Sequence, residues 1–375
     1  MRILMLTTNS SLMDGINRHV LAVAEGVNKI DGFEVAVCTV YPDGDLNSEL
    51  QRRNVKTYAL NAKSGHDVRV FGEFLKVIKE FKPTIVHVHV LALMERLALS
   101  WFLHGIKLVQ TVHGVADPVK QVTFKQRLEK CLARLSPLSG VRNVYISEGV
   151  RKHLRGRGAV IYNPIEVQMA AKRHKLHEAL NISEDTQIIG TACRFAAVKQ
   201  PNVFVEVMCR VLETLPSVHA ALIGDGDDEI KAQMRDVASH FDIAGRVHWL
   251  GYRADAPELI GDFSMFVMTS KREGMPTALL EAMSHGTPVA FLKGEGGLID
   301  LVGLDRQHGG IAIVGENALD LAQKIVKHVE NAAVLNAMTE RALHVVKQHF
   351  SVEVVARQLS DFYRSIVFGG NNDSV

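Results

Sequence analysis

Short apolar runs alternate with longer amphipathic stretches from the first residues onward. RILMLT, FEVAVCTV, VKTYAL, TIVHVHV, KLVQTV and VRNVYI are rich in β-branched residues and predict strands. Between most of them the apolar spacing becomes helical, over Ile16 to Lys29, Asp67 to Phe81, Leu91 to His104 and Val119 to Leu135. Strands that alternate with helices mean βαβ units and a parallel sheet. Such crossovers are right-handed, so a doubly wound layer is the simplest closure.

The alternation pauses at IYNPIEVQMAAKRHK, where Asn163 and Pro164 form a turn signal before a polar helix. A second alternation follows, with strands at QIIGTACRF, VHAALIG, RVHWLG, FSMFVMT, TPVAFL and GIAIV. Helices are predicted from Gln200 to Leu215, Asp228 to His240 and Thr277 to His285, and over most of Ala318 to Val367. The expected architecture is α/β with two Rossmann-like domains, 1–165 and 166–351, whose parallel sheets face across a cleft. A C-terminal helix at about 352–368 is expected to pack back on the first domain, and the tail GGNNDSV to fray. Ligands of such sheets bind at the carboxyl ends of strands, at the switch point, which places the expected site in the cleft.

Composition narrows the class. The chain has 375 residues and a net charge of +2, which gives no global reason to bind nucleic acid. Charge is uneven, with fourteen Lys or Arg against four Asp or Glu between Lys107 and Lys175. That region is either a solvated face or a peripheral contact with anionic membrane. Four cysteines without a CxxC pair argue against a zinc ribbon or a redox dithiol and suit a reducing cytosol. No run reaches the ~18 apolar residues of a membrane span. The expected location is therefore cytoplasmic, with peripheral attachment at the inner face of a membrane as the refinement.

Residues 270 to 289 read SKREGMPTALLEAMSHGTPV, and two carboxylates, Glu273 and Glu281, stand eight apart. Pro276 suits the first position of a helix that Gly286 and Pro288 end. A helix N-terminus offers free N–H groups and partial positive charge to a phosphate. Thr277, Glu281, Ser284 and His285 share one face, and apolar residues cover the rest. Two readings of Glu281 stay open here. It lies on a wet stripe, or it accepts both hydroxyls of a diol such as a ribose. Upstream, GTACRFAAVKQP places Arg194 just after a strand and Lys199 five residues later, a pair able to clamp two phosphates.

The segment resembles the E-x7-E signature of the retaining glycosyltransferases of the GT-B fold, in the large glycosyltransferase family 4. Their usual form is S-x-x-E-G-x-P-x-x-x-L-E-A-M followed by x-x-G-x-P-V. Ser270, Glu273, Gly274, Pro276, Leu280, Glu281, Ala282, Met283, Gly286, Pro288 and Val289 match in register, and the surroundings agree over nearly the whole chain. The resemblance implies that Glu281 binds the ribose of a nucleotide-sugar donor and that Glu273 sits beside the donor sugar. Backbone amides of Gly274, Met275 and Thr277, around Pro276, would hold sugar and diphosphate. Arg194 and Lys199 fall on the family's phosphate-binding positions, although Gln200 and Pro201 stand where glycine is usual, which puts the loop's backbone path in question.

In the first loop only Gly15 remains of two customary glycines, and Asp14 before it either meets an acceptor hydroxyl or caps a helix. His113, in a His-Gly pair, either contacts the donor sugar, as the family implies, or is a structural hydrogen-bonder. Gly224 resembles the turn below the nucleotide base, and Tyr252 the lining of the base pocket. Gly296 and Gly297 match a G-G-x-x-E turn in which Asp300 replaces the glutamate. Asp225 and Asp227 spell D-x-D, a motif of a different glycosyltransferase fold, so no metal ligand and no cofactor is assigned. The implied activity is retaining hexosyl transfer from a UDP- or GDP-sugar to a hydroxyl of a glycan or lipid-linked acceptor, in polysaccharide or glycoconjugate synthesis. The alternatives are a sugar-nucleotide epimerase of the same architecture or a non-catalytic nucleotide-sugar binding subunit. A dinucleotide oxidoreductase lacks its G-x-G-x-x-G after the first strand.

Overall fold

The computed structural model describes residues 1–12, 14–64, 67, 69–89, 105–114, 140–167, 174–243 and 245–369. The helices expected at Leu91 to His104 and Val119 to Leu135 lie outside these residues, as does the tail beyond Gly369. Contacts divide the chain into two compact units, Met1–Pro164 with Val352–Val375, and Ile165–Ser351.

The first unit runs β1 (Arg2–Thr7), α1 (Gly15–Asn28), β2 (Glu34–Thr39), α2 (Asp45–Arg52), β3 (Lys56–Ala59), α3 (Arg69–Phe81), β4 (Ile85–Val88), β5 (Lys107–Val112), β6 (Val141–Tyr145), α4 (Glu148–Leu154) and β7 (Ala159–Val160). Among the described residues its sheet has the order β3-β2-β1-β4-β5-β6-β7, and every pairing is parallel. Ile3 to Leu6 and Ile85 to Val88 are buried, as parallel strands covered on both faces must be. That double coverage is why these strands read as continuous apolar runs rather than alternating ones.

The second unit opens with α5 (Lys175–Leu180), then β8 (Gln187–Ala192), α6 (Pro201–Thr214), β9 (Val218–Ile223), α7 (Asp228–Ser239), β10 (Val247–Trp249), α8 (Ala256–Leu259) and β11 (Met265–Met268). It continues through β12 (Arg272–Glu273), α9 (Thr277–Ser284), β13 (Val289–Leu292), β14 (Glu295–Gly296), α10 (Gly297–Gln307), β15 (Ile313–Gly315), α11 (Ala318–Val329) and α12 (Ala332–Val345). Its main sheet has the order β10-β9-β8-β11-β13-β15, again parallel, and β12 pairs with β14 alone. In each unit the strand order reverses once, between β1 and β4 and between β8 and β11. Those are the switch points at which doubly wound sheets open to ligands.

The chain then returns to the first unit in α13 (Val352–Phe368). Val355, Ala356, Leu359 and Tyr363 form its buried stripe. The stripe lies on α1 so closely that a Cβ on Gly26 would come within 2.9 Å of Ala356 and Val352. Tyr363 reaches into the sheet, where its hydroxyl bonds His87 Nδ1 at 2.5 Å, while His87 Nε2 meets Thr111 Oγ1 at 2.8 Å. Both ring nitrogens of this buried histidine are thereby satisfied. Tyr363→Phe keeps the packing but strands one of them. We expect it to destabilise the chain by about 1–3 kcal/mol in urea unfolding, with an unchanged m-value. An unshifted midpoint would show that the hydroxyl contributes nothing.

Candidate functional site

In the second unit the loops after β8, β11 and β13 meet at the switch point. The loop after β8 carries Arg194 and Lys199, and that after β11 carries Glu273. Lys199 Nζ donates to Glu273 Oε2 at 2.6 Å, with Glu273 only 7% exposed. Backbone bonds join the three loops: Lys271 N–H to Val198 O at 2.9 Å and Glu295 N–H to Lys271 O at 2.9 Å. Arg272 Nε donates to Glu295 Oε2 at 2.6 Å across the β12–β14 pair. Gly296, at φ +70°, has no room for a side chain, because a Cβ there would lie 2.0 Å from Glu273 O. Arg194 is exposed and, among the described residues, its side chain has no hydrogen-bond or ion-pair partner. Gln200 answers the question raised by its missing glycine. It adopts φ 49°, ψ 51°, the left-handed conformation glycine would take, and Thr269 Oγ1 donates to its carbonyl at 2.9 Å. Pro201 follows at the first turn of α6. A side chain therefore stands at a left-handed position just before α6.

In the first unit a group of histidines gathers behind the carboxyl ends of β4 and β5. His113 Nε2 lies 3.2 Å from His89 Nδ1, and the His19 ring stands edge-on to His113 with centroids 4.9 Å apart. Burial pushes His19 down to about 4. Burial, aided by the charge of His19, takes His87 to about 3. His89 and His113 are held well below the ordinary histidine range, by burial first and by their histidine neighbours second. All four rings are therefore neutral at pH 7.

Two family models match the chain: "Glycosyltransferase Family 4" over residues 13–169 and "Glycosyl transferases group 1" over 172–345. The chain is a glycosyltransferase of this family. Among curated relatives it is 24% identical over 349 residues to the UDP-Gal:α-D-GlcNAc-diphosphoundecaprenol α-1,3-galactosyltransferase of Escherichia coli, covering 86% of each chain. It is 26% identical to the Vi polysaccharide biosynthesis protein VipC/TviE of Salmonella typhi, over 52% of this chain and 36% of that protein. The crystal structure of Anabaena HepE in complex with UDP and glucose superposes with a TM-score of 0.77 at 19% identity, covering 97% of this chain and all of that one. That likeness shows the GT-B fold expected from the sequence.

The remaining predicted residues of the transferase fall as follows. Glu281 is half-buried, in line with Thr277 and His285, whereas Ser284 is buried and donates to Glu281 O at 2.8 Å. The stripe is thus narrower than the wheel suggested. Pro276 sits one position before α9 rather than inside it, and Thr277 N–H donates to Met275 O at 2.8 Å, so that amide of the expected cradle is engaged. Gly274 is half-buried, and Met275 and Pro276 are buried. Gly224 N–H donates to Gly251 O at 2.8 Å, which joins the base-side turn to the loop of Tyr252, itself 56% exposed. A Cβ on Gly224 would lie 1.9 Å from Cys193 O, so the turn presses against the start of the Arg194 loop.

Of the two readings of Asp14, the helix cap is the one its contacts display. It accepts from Ile16 N–H at 2.9 Å and from Asn9 Nδ2 at 3.2 Å. Gly15 opens α1, and a Cβ there would meet nothing within 4 Å, so packing does not require glycine. Asp227 caps α7 and Asp225 pairs with Lys231 at 2.5 Å, which accounts for both carboxylates of the D-x-D spelling. Asp300 lies in the first turn of α10. In the basic region Arg151 and Lys152 pair with Glu148, and Lys175 with Glu258, while 115–139 and 168–173 lie outside the described residues. The described cysteines, Cys38, Cys193 and Cys209, are free. Among the described residues no helix is long and apolar enough to cross a membrane. His19, His87 and His89 were not singled out from sequence. The signal was present in the H-V-H of TIVHVHV, whose period of two puts both rings on one face.

The neutral histidines set a pH dependence. Unfolded, they titrate near 6.5, but His19 resists protonation to about 4 and His87 to about 3 in the folded chain. The unfolded state binds more protons in that window, so stability rises with pH and is lost on acidification. The expected slope is about 1.4 kcal/mol per pH unit for each such histidine. Urea midpoints measured between about pH 7 and about pH 5 check this. A flat midpoint would mean that the rings are not buried as neutral species.

Proposed function

We propose that this glycosyltransferase moves a hexosyl group, with retention, from a nucleoside diphosphate-sugar to a hydroxyl of a glycan or lipid-linked acceptor, without a metal, in polysaccharide or glycoconjugate synthesis. The observation that carries the reading is the Lys199–Glu273 pair, 2.6 Å apart at a switch point, with Arg194 on the same loop as Lys199 and without a side-chain partner among the described residues. A diphosphate needs two cations, and a sugar needs a hydroxyl acceptor; this loop cluster offers both. UDP is favoured over GDP because HepE binds UDP with glucose and the E. coli relative is named for UDP-Gal. The latter's acceptor, a diphosphoundecaprenol-linked sugar, supports a lipid-linked acceptor and peripheral membrane contact here.

Within the second unit, Arg194 and Lys199 stabilise charge that develops on the departing diphosphate, usually a large contribution to catalysis. Glu273 bonds the sugar hydroxyls near the reacting carbon, and Glu281 takes the ribose. Gly274 and Met275 supply amides, Pro276 and Thr277 set the helix start, and Gly224 and Tyr252 border the base. Within the first unit, the resemblance assigns His113 to the donor sugar and Gly15 to the diphosphate, while Asp14 is the candidate on the acceptor side. The carbon–oxygen bond to the diphosphate breaks, an oxocarbenium-like sugar forms, and the acceptor hydroxyl attacks the same face. Its proton passes to the departing phosphate oxygen.

Arg194 is exposed and has no side-chain partner among the described residues, so Arg194→Ala is expected to leave the unfolding free energy in urea within about 0.5 kcal/mol. Turnover of UDP-sugar should fall by about 100-fold or more. Wild-type turnover in that variant would remove the clamp. Glu281→Ala should weaken donor binding by about 1–3 kcal/mol in calorimetry, and unchanged affinity would unseat the ribose assignment. Turnover is expected to persist in excess EDTA; its loss, with recovery on adding manganese, would overturn the metal-free mechanism.

A further inference from the structure

Three of the first unit's histidines arrive from separate segments: His19 from α1, His89 just after β4 and His113 just after β5. Each offers one ring nitrogen such that the three nitrogens all lie within 4.8 Å of one another. His89 Nδ1 and His113 Nε2 are 3.2 Å apart, close to the separation of two nitrogens bound to one tetrahedral ion at about 2.0–2.1 Å. Among the described residues the buried His19 Nδ1 has no hydrogen-bond partner, and neither has His89 Nε2. Those residues are 7% and 3% exposed. An unsatisfied buried polar atom is costly, so two in one cluster mark a place that a ligand would stabilise. The fourth ring, His87, packs against His89 with centroids 4.3 Å apart but is no ligand, since Tyr363 and Thr111 already engage both its nitrogens.

We propose that His19, His89 and His113 form a binding site for a divalent cation of the zinc class. Three neutral imidazoles without a carboxylate suit zinc, nickel or copper and not magnesium or calcium, which prefer oxygen ligands. Three histidines plus an open position is a familiar zinc arrangement. The open position falls on the side of His113, the half-exposed member, where water or another small ligand completes the shell. His89 has a nitrogen to spare whichever one turns to the ion, and the spare one can bind solvent or a carbonyl as an outer partner. His113 is also the ring assigned to the donor sugar, and an ion would occupy it. The proposed sugar transfer therefore runs with this site empty, while the site itself is argued from the three rings alone.

The test uses the full chain, stripped with EDTA and desalted. Titration with zinc chloride in a calorimeter is expected to show one saturable site per chain. Cobalt(II) in its place should give the intense visible absorption of a four-coordinate ion. His19→Ala and His89→Ala should each weaken uptake on the order of 100-fold or more. His113→Gln, at the half-exposed ring, decides the matter if either buried variant fails to fold. Water rather than metal in the cluster predicts no saturable uptake by the wild type, which would overturn the proposal. So would unchanged zinc affinity in the folded variants, which would locate binding elsewhere, for example near His308, His344 and His349. A chain that takes up zinc here but transfers no sugar even when stripped of metal would refute the transferase mechanism and leave the site standing. The opposite result would refute the site alone.

Discussion

Every strand pairing within the two main sheets runs in one direction, and that constraint decides where chemistry can occur. A parallel ladder sends all carboxyl ends to one edge and forces each connection to cross back over a face. Where strand order reverses, the following loops lead away to opposite faces and leave a gap between them. In the second unit β8 and β11 flank that gap, which is how Lys199 and Glu273 meet although 74 positions separate them. In the first unit β1 and β4 flank it, and β4 and β5 deliver His89 and His113 beside α1. Neither grouping follows from local sequence; both follow from direction and order.

Placing Lys199 against a buried Glu273 is not an argument for stability, since removing two charges from water consumes much of what their attraction returns. Its value lies in geometry. The cation and the carboxylate are fixed before any ligand arrives, and a fixed polar site needs no reorganisation during reaction. The fixing is done largely by backbone. Lys271 N–H binds the loop after β8, Glu295 N–H binds the loop after β11, and glycine at 224 and 296 lets main chains touch where a Cβ would collide. The side chains proposed to meet substrate are thus carried on loops braced by one another.

Much of this architecture was legible because doubly buried strands spell themselves as apolar runs. RILMLT, TIVHVHV and FSMFVMT each became the strand they predicted, trimmed at the ends. Other elements were silent for physical reasons. β12 and β14 are two residues each, too short for any periodicity, and their pairing rests on backbone approach. Helix α10 hides behind the glycines of GEGG and contains Gly303, which weakens a helical signal. β7 is a two-residue edge strand after a glycine-rich stretch. In the site, Arg194, Lys199 and Glu273 were readable as charges near strand ends and helix starts. Of the histidines His113 was readable and the H-V-H of TIVHVHV placed two rings on one face, but only topology shows that His19, His89 and His113 share one place.

Gln200 separates what the site requires from what it tolerates. The resemblance calls for glycine there, and the reason is conformational: the chain must turn through φ 49° before α6 begins. A side chain in that region costs about 1–2 kcal/mol, partly offset because glycine loses more freedom on folding. Pro201 holds the next φ near its helical value, and Thr269 ties down the Gln200 carbonyl. The turn is therefore over-determined from both sides, which is the condition under which a strained residue persists. Shifting Lys199 instead would move its charge away from Glu273. Gln200 is thus a departure from the resemblance whose cost the surrounding loops can absorb, whereas at 194, 199 and 273 the proposed reaction requires a particular charge in a particular place.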